Sequence, residues 1–306
     1  MHTTQLAIGV VPTLMSGWRW VGAAALAGGV AGLARWRRAL TRDGMLAAAV
    51  LGTVVLGRGG WSAAAALNTF FVSSSVLSRV GRARRARLGA LAQAKGAERD
   101  AWQVLANGGA AGLALLGPEP LASAAFLGAV ATAAADTWAT ELGLLAGQTP
   151  RLVTTLRPVP AGSSGGVSAA GLLASAAGAA AVGFAALATP RSGDARGVDW
   201  NVGGARGGDA SGVFWRVAGG TLRFAVVGVV GALVDSVLGA TLQARYWCAR
   251  CQAPTEHPIH ARCGLPATLV GGRRWVTNDV VNAMATTIGA LLGATLRTTA
   301  RPRGVR

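Results

Sequence analysis

The 306-residue sequence has few charged residues, and this scarcity limits the possible protein classes. Only 13% of its positions are charged, compared with about 25% in a typical soluble domain. Three cysteines are far too few for a small scaffold held together by disulfides. Disordered proteins have few apolar residues, whereas 52% of the residues in this chain are hydrophobic. These features exclude a disulfide scaffold and a disordered chain, and they favour a protein embedded in lipid.

The charges that are present are strongly unbalanced in sign. The chain carries 28 arginines and one lysine against 12 acidic residues, which gives a formal net charge of +17. Such a surplus is also typical of proteins that neutralise nucleic-acid phosphates. Here the arginines fall in loops between apolar runs, and no nucleic-acid recognition motif accompanies them. We therefore predict no nucleic-acid partner.

Apolar runs long enough to cross a bilayer recur along the whole sequence. A membrane-spanning helix needs about 20 mostly apolar residues. We predict an all-α, polytopic membrane bundle of about seven to nine spans that forms a single domain over residues 1–306. The Gly-Arg-Gly-Gly segment at 57–60 predicts a tight hairpin between two short spans or one re-entrant element. The apolar runs are 17–34, 44–57, 61–77, 102–117, 120–142, 165–188, 220–243 and 276–296.

Basic residues concentrate in alternate loops, as the positive-inside rule expects of cytoplasmic loops. This pattern predicts a multi-pass membrane protein whose N-terminus lies outside the cytoplasm. Eight crossings would also place the arginine-rich C-terminal tail outside, which the rule does not expect. The four long connections are a basic cytoplasmic loop at 79–100, a Gly-rich loop at 150–168, a Gly-rich polar insert at 189–219 and a Cys/His loop at 244–275.

Four of the twelve acids lie in apolar runs or at their ends. Ionisable groups at membrane depth are costly, and they mark functional sites by default. For a single Asn or Thr in such a run, a hydrogen bond between helices is the better interpretation. We predict that the acids are catalytic and that neighbouring amides contact substrate. The acids are Asp136, Glu141, Asp235 and Asp279, and the amides are Asn107, Asn278 and Asn282.

The Gly-rich loop follows the first acidic helix directly. Its glycines permit positive φ angles and close backbone approach, and its serines add hydroxyl donors. The next helix begins where the loop ends, so free N–H groups at that helix start would favour a bound phosphate. No Gly-Lys-Ser/Thr follows, so this is not a Walker A loop, and a plain linker is the alternative. The predicted phosphate-binding residues are Gly162, Ser163, Ser164, Gly165 and Gly166.

All three cysteines and two of the three histidines lie within sixteen residues. The spacing Cys248-x-x-Cys251, followed by histidines and Cys263, is typical of a structural Zn²⁺ site. We predict a Cys₃His site with His260, rather than His257, as the fourth ligand. Free thiols in an ordinary loop and a redox pair are the alternatives.

Several motifs resemble those of one membrane protein family, the transmembrane protein nineteen family (domain of unknown function ninety-two). The resemblance covers about residues 40 to 296. Most members are uncharacterised, and the plant and cyanobacterial branch includes the phytyl-phosphate kinase of tocopherol synthesis. The motifs are Phe70-Phe-Val-Ser-Ser-Ser75, Gln103-Val-Leu-Ala-Asn-Gly108, Ala135-Asp-Thr-Trp-Ala-Thr-Glu-Leu-Gly143, Arg157-Pro-Val-Pro-Ala-Gly-Ser-Ser-Gly-Gly-Val-Ser168, Asp235-Ser-Val-Leu-Gly-Ala240 with Gln243, and Asn278-Asp-Val-Val-Asn282.

The resemblance implies a kinase that converts a prenyl (phytyl-like) phosphate to the diphosphate with a nucleoside triphosphate, CTP or ATP. A phosphate monoester has a second pKa of about 6, so the acceptor is already an anion and needs no general base. Positioning and charge neutralisation then drive the reaction. We assign Mg²⁺ to Asp136 and Asp235, with Asp279 nearby, and the triphosphate to the Gly-rich loop. The prenyl-phosphate head group is assigned to Arg84, Arg85 and Arg157.

Two other functions remain open from the sequence. A transporter or flippase of a lipid or an ion would use the intramembrane acids as a coupling site near the membrane midplane. A membrane assembly factor without catalysis would need the same acids only for stability. The depth of the acids in the membrane discriminates between the kinase and the transporter.

Overall fold

The computed structural model describes residues 6–88, 98–118, 121–189 and 210–298, and side chains over 17–81, 98–118, 121–189 and 213–296. These segments form seven helices and five short strands. The helices are α1 (Leu6–Trp36), α2 (Arg42–Leu88), α3 (Ala101–Ala114), α4 (Leu121–Leu145), α5 (Ala169–Ala188), α6 (Ala210–Thr241) and α7 (Asn278–Thr298). The strands are β1 (Arg151–Leu152), β2 (Gly166–Val167), β3 (Arg245–Cys248), β4 (Ala253–Thr255) and β5 (Thr268–Gly271).

The predicted helical membrane bundle agrees with this architecture, but the predicted number of spans is not confirmed. Five of the described helices are long and apolar enough to cross a membrane, namely α2, α4, α5, α6 and α7. Helix α3 has 14 residues and is about 21 Å long, which is shorter than a typical hydrocarbon core. The first helix starts at Leu6, so the segment before residue 17 extends the first predicted run.

Helix α2 reverses direction at Gly60, which has φ 67° and ψ −161°. The Arg79 guanidinium donates a hydrogen bond to the carbonyl of Arg37, which lies just before α2 begins. If α2 were straight, residues 42 and 79 would be about 55 Å apart, so the two limbs must run in opposite directions. Both alternatives predicted for this segment, a hairpin between two short spans and one re-entrant element, contain such a reversal.

Exposed tryptophans lie at two levels of the bundle. Trp18 and Trp36 on α1 are 74% and 72% exposed, and 18 helical residues separate them by about 27 Å. That spacing is close to the thickness of the hydrocarbon core, about 30 Å, and tryptophan is enriched at both membrane interfaces. Exposed tryptophans near the Trp18 level are Trp61 and Trp215, and those near the Trp36 level are Trp102 and Trp275.

Helix α4 is the central helix of the bundle, and almost all of residues 122–135 are buried. Its small residues allow α7 to approach so closely that the backbones of the two helices are in contact. A Cβ on Gly128 would overlap the carbonyl of Gly289, and a Cβ on Gly293 would overlap the carbonyl of Ala124. Close contacts of this kind between small residues are a common mode of helix packing in membranes.

Two small antiparallel sheets lie in connections that an all-α fold does not predict. Strands β1 and β2 pair within the Gly-rich loop, and β4-β3-β5 form a sheet in the Cys/His loop. Helix α2 continues to Leu88, so the first part of the predicted 79–100 loop is helical, and residues 89–97 lie outside the described chain. Most of the predicted 189–219 insert, residues 190–209, also lies outside it, and the last part of the insert belongs to α6.

Candidate functional site

A cleft of about 800 Å³ opens at the end of the bundle where α4 and α6 finish and α3, α5 and α7 begin. Both small sheets contribute to its wall. Twelve of the predicted site residues line this one cleft although they come from four helices and a loop. They are Asn107, Asp136, Glu141, Gly162, Ser163, Ser164, Gly165, Gly166, Asp235, Asn278, Asp279 and Asn282.

Asp136 and Asp235 lie at the same height on neighbouring helices. Below them, a Cβ added to Gly231 of α6 would overlap the side chain of Thr132 of α4. Both helices run toward the cleft, and each aspartate follows its contact residue by four positions, which is about one turn. Both aspartates line the cleft, each about one turn beyond the contact between Thr132 and Gly231.

An amide network connects Asp235 to α7. With the Asn282 amide oriented to satisfy its neighbours, Nδ2 of Asn282 donates to Oδ2 of Asp235 at 3.0 Å. The Asn282 oxygen accepts from Nδ2 of Asn278 at 3.2 Å. These bonds fix the orientation of the Asp235 carboxylate, so the two asparagines act on the site through this aspartate.

The cleft opens toward one membrane face. Asn107, which lines the cleft, is five residues along α3 from the exposed Trp102, a rise of about 8 Å. The midplane of a 30 Å hydrocarbon core would be about 15 Å from such an interfacial residue. Asn107 therefore lies about midway between this interface and the midplane, and the cleft extends from there to the loops at the membrane face.

Arg99 is a cleft residue that sequence reasoning placed only in a basic loop. Its guanidinium carbon lies 5.7 Å from the ring centroids of both Phe70 and Phe71. Burial lowers the pKa of Arg99 to about 10, and the negative charge of Glu141 acts in the opposite direction. Arg99 stays protonated at neutral pH, and Glu141, which is buried, balances its charge.

The Gly-rich loop forms the roof of the cleft, and its glycine at 165 serves helix packing. Gly165 has φ 79°, and a Cβ there would come within 2.5 Å of the Ala240 Cβ and 2.7 Å of the Ser236 carbonyl oxygen. The sequence predicted that this glycine allows a phosphate to approach the backbone. The structure shows that it allows α6 to approach the loop, and the phosphate contact stays a prediction.

The predicted phosphate donors of this loop are engaged within the protein. Ser163 Oγ donates to the Pro160 carbonyl at 2.7 Å, and Ser164 Oγ donates to Oε1 of Glu256 at 2.5 Å. At the start of α5, two N–H groups that were expected to be free donate to side chains instead. These bonds run from Ala170 to Gln148 Oε1 and from Gly171 to Ser168 Oγ.

Of the three arginines predicted to hold the prenyl-phosphate head group, the structure describes the side chain of one, Arg157. Arg157 is exposed and is not among the residues that line the cleft. Arg84 and Arg85 belong to the last turns of α2, where the side chains lie outside the described part of the chain. The arginines that do line the cleft are Arg99 and Arg245.

Beside the cleft, four predicted zinc ligands lie close together, and we call them the Cys/His cluster: Cys248, Cys251, His260 and Cys263. Their ligand atoms all lie within 4.8 Å of one another. Cys248 and His260 are fully buried, whereas His257 is exposed and lies outside the group. The structure therefore groups the same four residues that the spacing predicts.

Local hydrogen bonds give the thiols of this cluster different acidities. The backbone N–H of Leu265 and the His260 ring lower the pKa of Cys263 to about 6, so this sulfur is a thiolate at neutral pH. Desolvation raises the pKa of Cys251 to about 11. Thiolates are the form of cysteine that binds metals.

The fold and the cleft define a multi-pass integral membrane protein with a polar, acid-lined pocket at one membrane face. The chain belongs to the family described as integral membrane protein DUF92, whose model matches residues 25–290.

Its relatives include Protein PGR of Arabidopsis thaliana, which is 29% identical over 84% of this chain and 88% of its own length. An uncharacterized membrane protein of Synechocystis is 28% identical over 87% of this chain and 85% of its own length. An uncharacterized membrane protein of Methanocaldococcus jannaschii is 31% identical over 48% of this chain and 61% of its own length. No solved structure matches the chain.

Proposed function

We propose that this protein is a prenyl-phosphate kinase that works in the cleft. The γ-phosphoryl group of a nucleoside triphosphate passes to an oxygen of the prenyl phosphate, and the nucleoside diphosphate leaves. The observation that carries this proposal is the pair Asp136 and Asp235, which lie at a similar height on neighbouring helices and line a cleft that also holds Arg99. Two carboxylates that can bind a metal ion and an arginine that can bind a phosphate, all lining one cleft, suit phosphoryl transfer, because this reaction depends on positioning and charge neutralisation.

The acids fit a Mg²⁺ ion shared with substrate. Mg²⁺ prefers oxygen ligands and usually takes one or two carboxylates together with substrate phosphates. In the described chain, the Cys/His cluster is the single close group of three or more metal-ligating side chains. The cleft acids thus suit a site with few protein ligands, in which Asp136 and Asp235 would hold the ion. The ion would neutralise the phosphates, and Asn282 would keep Asp235 oriented.

The cleft offers a charged group for the phosphate of the lipid acceptor and apolar side chains for its isoprenoid chain. We assign its phosphate to Arg99, whose charge is held between two aromatic rings at the cleft. The triphosphate is assigned to the space beneath the Gly-rich loop, where Arg245 also lines the wall. Leu144, Leu172 and Leu233 provide apolar lining for the first part of the isoprenoid chain. The rest of the chain would lie between helices in lipid.

The position of the acids favours the kinase over a transporter. A coupling site for alternating access is expected near the midplane. Asp136 and Asp235 share the cleft with the Gly-rich loop, and the cleft opens toward one interface rather than lying remote from that loop. Arg35 lies in the last turn of α1, and Arg37 and Arg38 follow it at the same end of the bundle, which is the cytoplasmic side under the positive-inside rule. Nucleotide would therefore be available at the cleft.

We expect Arg99 and Arg157 to differ in their effect on activity. Replacing Arg99 by Gln removes a cation from the cleft and should raise the KM for prenyl phosphate about tenfold or more. Arg157→Gln is the matched control, because Arg157 is exposed and outside the cleft wall, and it should change KM less than twofold. Steady-state kinetics with both variants measures this. Equal effects of the two substitutions would contradict the assignment of the head group to Arg99.

The activity itself is tested with membranes that contain the protein. They are incubated with phytyl or geranylgeranyl phosphate, Mg²⁺ and labelled CTP or ATP, and the lipid products are separated by chromatography. We expect a labelled prenyl diphosphate that is absent from membranes without the protein. The absence of this product with both nucleotides and both lipids would reject the proposal.

A further inference from the structure

We infer that the Cys/His cluster binds one structural Zn²⁺ ion, and that this ion holds Glu256 against Ser164 and so fixes the Gly-rich loop over the cleft. The inference goes beyond the proposed kinase activity, since it concerns a second metal and the position of the roof. It rests on the donor set, the turns that carry the donors and the contact between the two loops.

The donor set suits zinc. Three sulfurs and one imidazole nitrogen make a closed four-ligand site of the structural type. With Zn–S bonds of about 2.3 Å, tetrahedral geometry puts ligand atoms roughly 3.5–3.8 Å apart. The sulfurs of Cys248 and Cys263 are 3.5 Å apart, and Nδ1 of His260 is 3.4 Å from the Cys263 sulfur. These two distances are close to the tetrahedral values, and all four donor atoms lie within 4.8 Å of one another.

Two similar turns present these donors. Residues 248–252 read Cys-Ala-Arg-Cys-Gln, and residues 260–264 read His-Ala-Arg-Cys-Gly. In both, the residue after the second ligand has a positive φ, 49° at Gln252 and 68° at Gly264. The first turn joins β3 to β4, and the second lies between β4 and β5. A shared ion would thus connect the two turns of the sheet.

The sheet has little else to stabilise it. Its strands have four, three and four residues, and all four residues of β5 are exposed or half-buried. Strands this short with a small apolar face are marginal on their own. Metal binding contributes directly to folding in small domains of this kind.

The sheet and its turns reach the cleft. Glu256 lies between the second and third ligands of the cluster along the chain and accepts the Ser164 hydroxyl at 2.5 Å. Arg245, Tyr246 and Thr255 of the same sheet also line the cleft. Loss of the ion would free this wall and remove the contact that fixes the roof.

Metal analysis of the purified full-length protein tests the ion. We expect about one Zn²⁺ per chain by mass spectrometry, and X-ray absorption with three sulfurs and one nitrogen around it. Cys251→Ser and Cys263→Ser should lose most of the zinc. His257→Ala is the matched control and should retain it, because His257 is exposed and outside the cluster. Protein without zinc, or with a disulfide among the three cysteines, would overturn the inference.

Hydrogen exchange tests the connection to the cleft without any assay of activity. In wild-type protein, removal of zinc by a chelator should speed amide exchange in residues 150–168 about tenfold, and added Zn²⁺ should reverse this. Ser164→Ala should keep its zinc and still exchange faster in the same loop. Unchanged exchange after zinc removal would overturn the connection. Neither measurement requires phosphoryl transfer, so the zinc site and the kinase activity can fail independently.

Discussion

Replacing Asp136 by Asn is expected to reduce formation of the prenyl diphosphate by about 100-fold or more. The substitution keeps the shape of the side chain and removes one negative charge from the floor of the cleft. Asp136 and Asp235 lie at a similar height on neighbouring helices, and together they are the pair assigned to hold Mg²⁺ against the substrate phosphates. The rate of diphosphate formation by purified protein, measured with saturating substrates, gives the size of the effect.

Glu98→Gln is the matched control for this experiment. Glu98 lies outside the cleft and pairs with Arg35 at 3.3 Å on the protein surface. An exposed ion pair contributes about 1 kcal/mol or less, so this variant should retain wild-type activity. If the Asp136 variant folded and produced diphosphate as fast as the Glu98 variant, the role of Asp136 would be wrong. If it failed to fold, Asp235→Asn with the same control would test the pair.

Replacing Gly289 by Ala is expected to destabilise the protein by about 1–3 kcal/mol. The added Cβ would overlap the Thr132 side chain and lie 2.8 Å from the backbone carbonyl oxygen of Gly128. A backbone atom cannot move aside as a flexible side chain can, so α7 must shift away from α4. Because these helices carry Asp136 and Asn282, activity should fall together with stability.

Replacing Gly219 by Ala is the matched control, and we do not expect this substitution to destabilise the protein. A Cβ at Gly219 in α6 meets nothing within 4 Å. There, alanine should leave stability unchanged or raise it by up to about 1 kcal/mol, because it restricts the unfolded chain. Thermal unfolding of both variants in detergent measures the difference. Equal midpoints would show that the close contact of α4 and α7 does not hold the bundle together.

The sequence predicted the helical bundle and most of the cleft because both depend on local pattern. Long apolar runs and the cost of burying Asp136 or Asp235 in them are visible without any structure. In the fold, twelve of the predicted site residues line one cleft. The glycines at 57–60 predicted the reversal of α2, and the contact between Arg79 and Arg37 shows how the two limbs lie.

Features that depend on distant contacts could not be read from the sequence. Arg99 was counted as one more charge in a basic loop, since its position beside Phe70 and Phe71 arises only when α2 folds back. Gly165 was interpreted as a phosphate contact, whereas the approach of α6 explains it. The bond from Ser164 to Glu256 joins residues 92 positions apart, and no local pattern predicts it.

The most direct test of the proposed kinase follows the label from the nucleotide to the lipid. Purified protein in lipid nanodiscs is given geranylgeranyl phosphate, Mg²⁺ and CTP or ATP labelled at either the γ- or the α-phosphate. The kinase predicts that γ-label appears in geranylgeranyl diphosphate, one per molecule formed, and that α-label does not. A folded, zinc-bound protein that transfers no γ-label to the lipid with either nucleotide would contradict the proposed function.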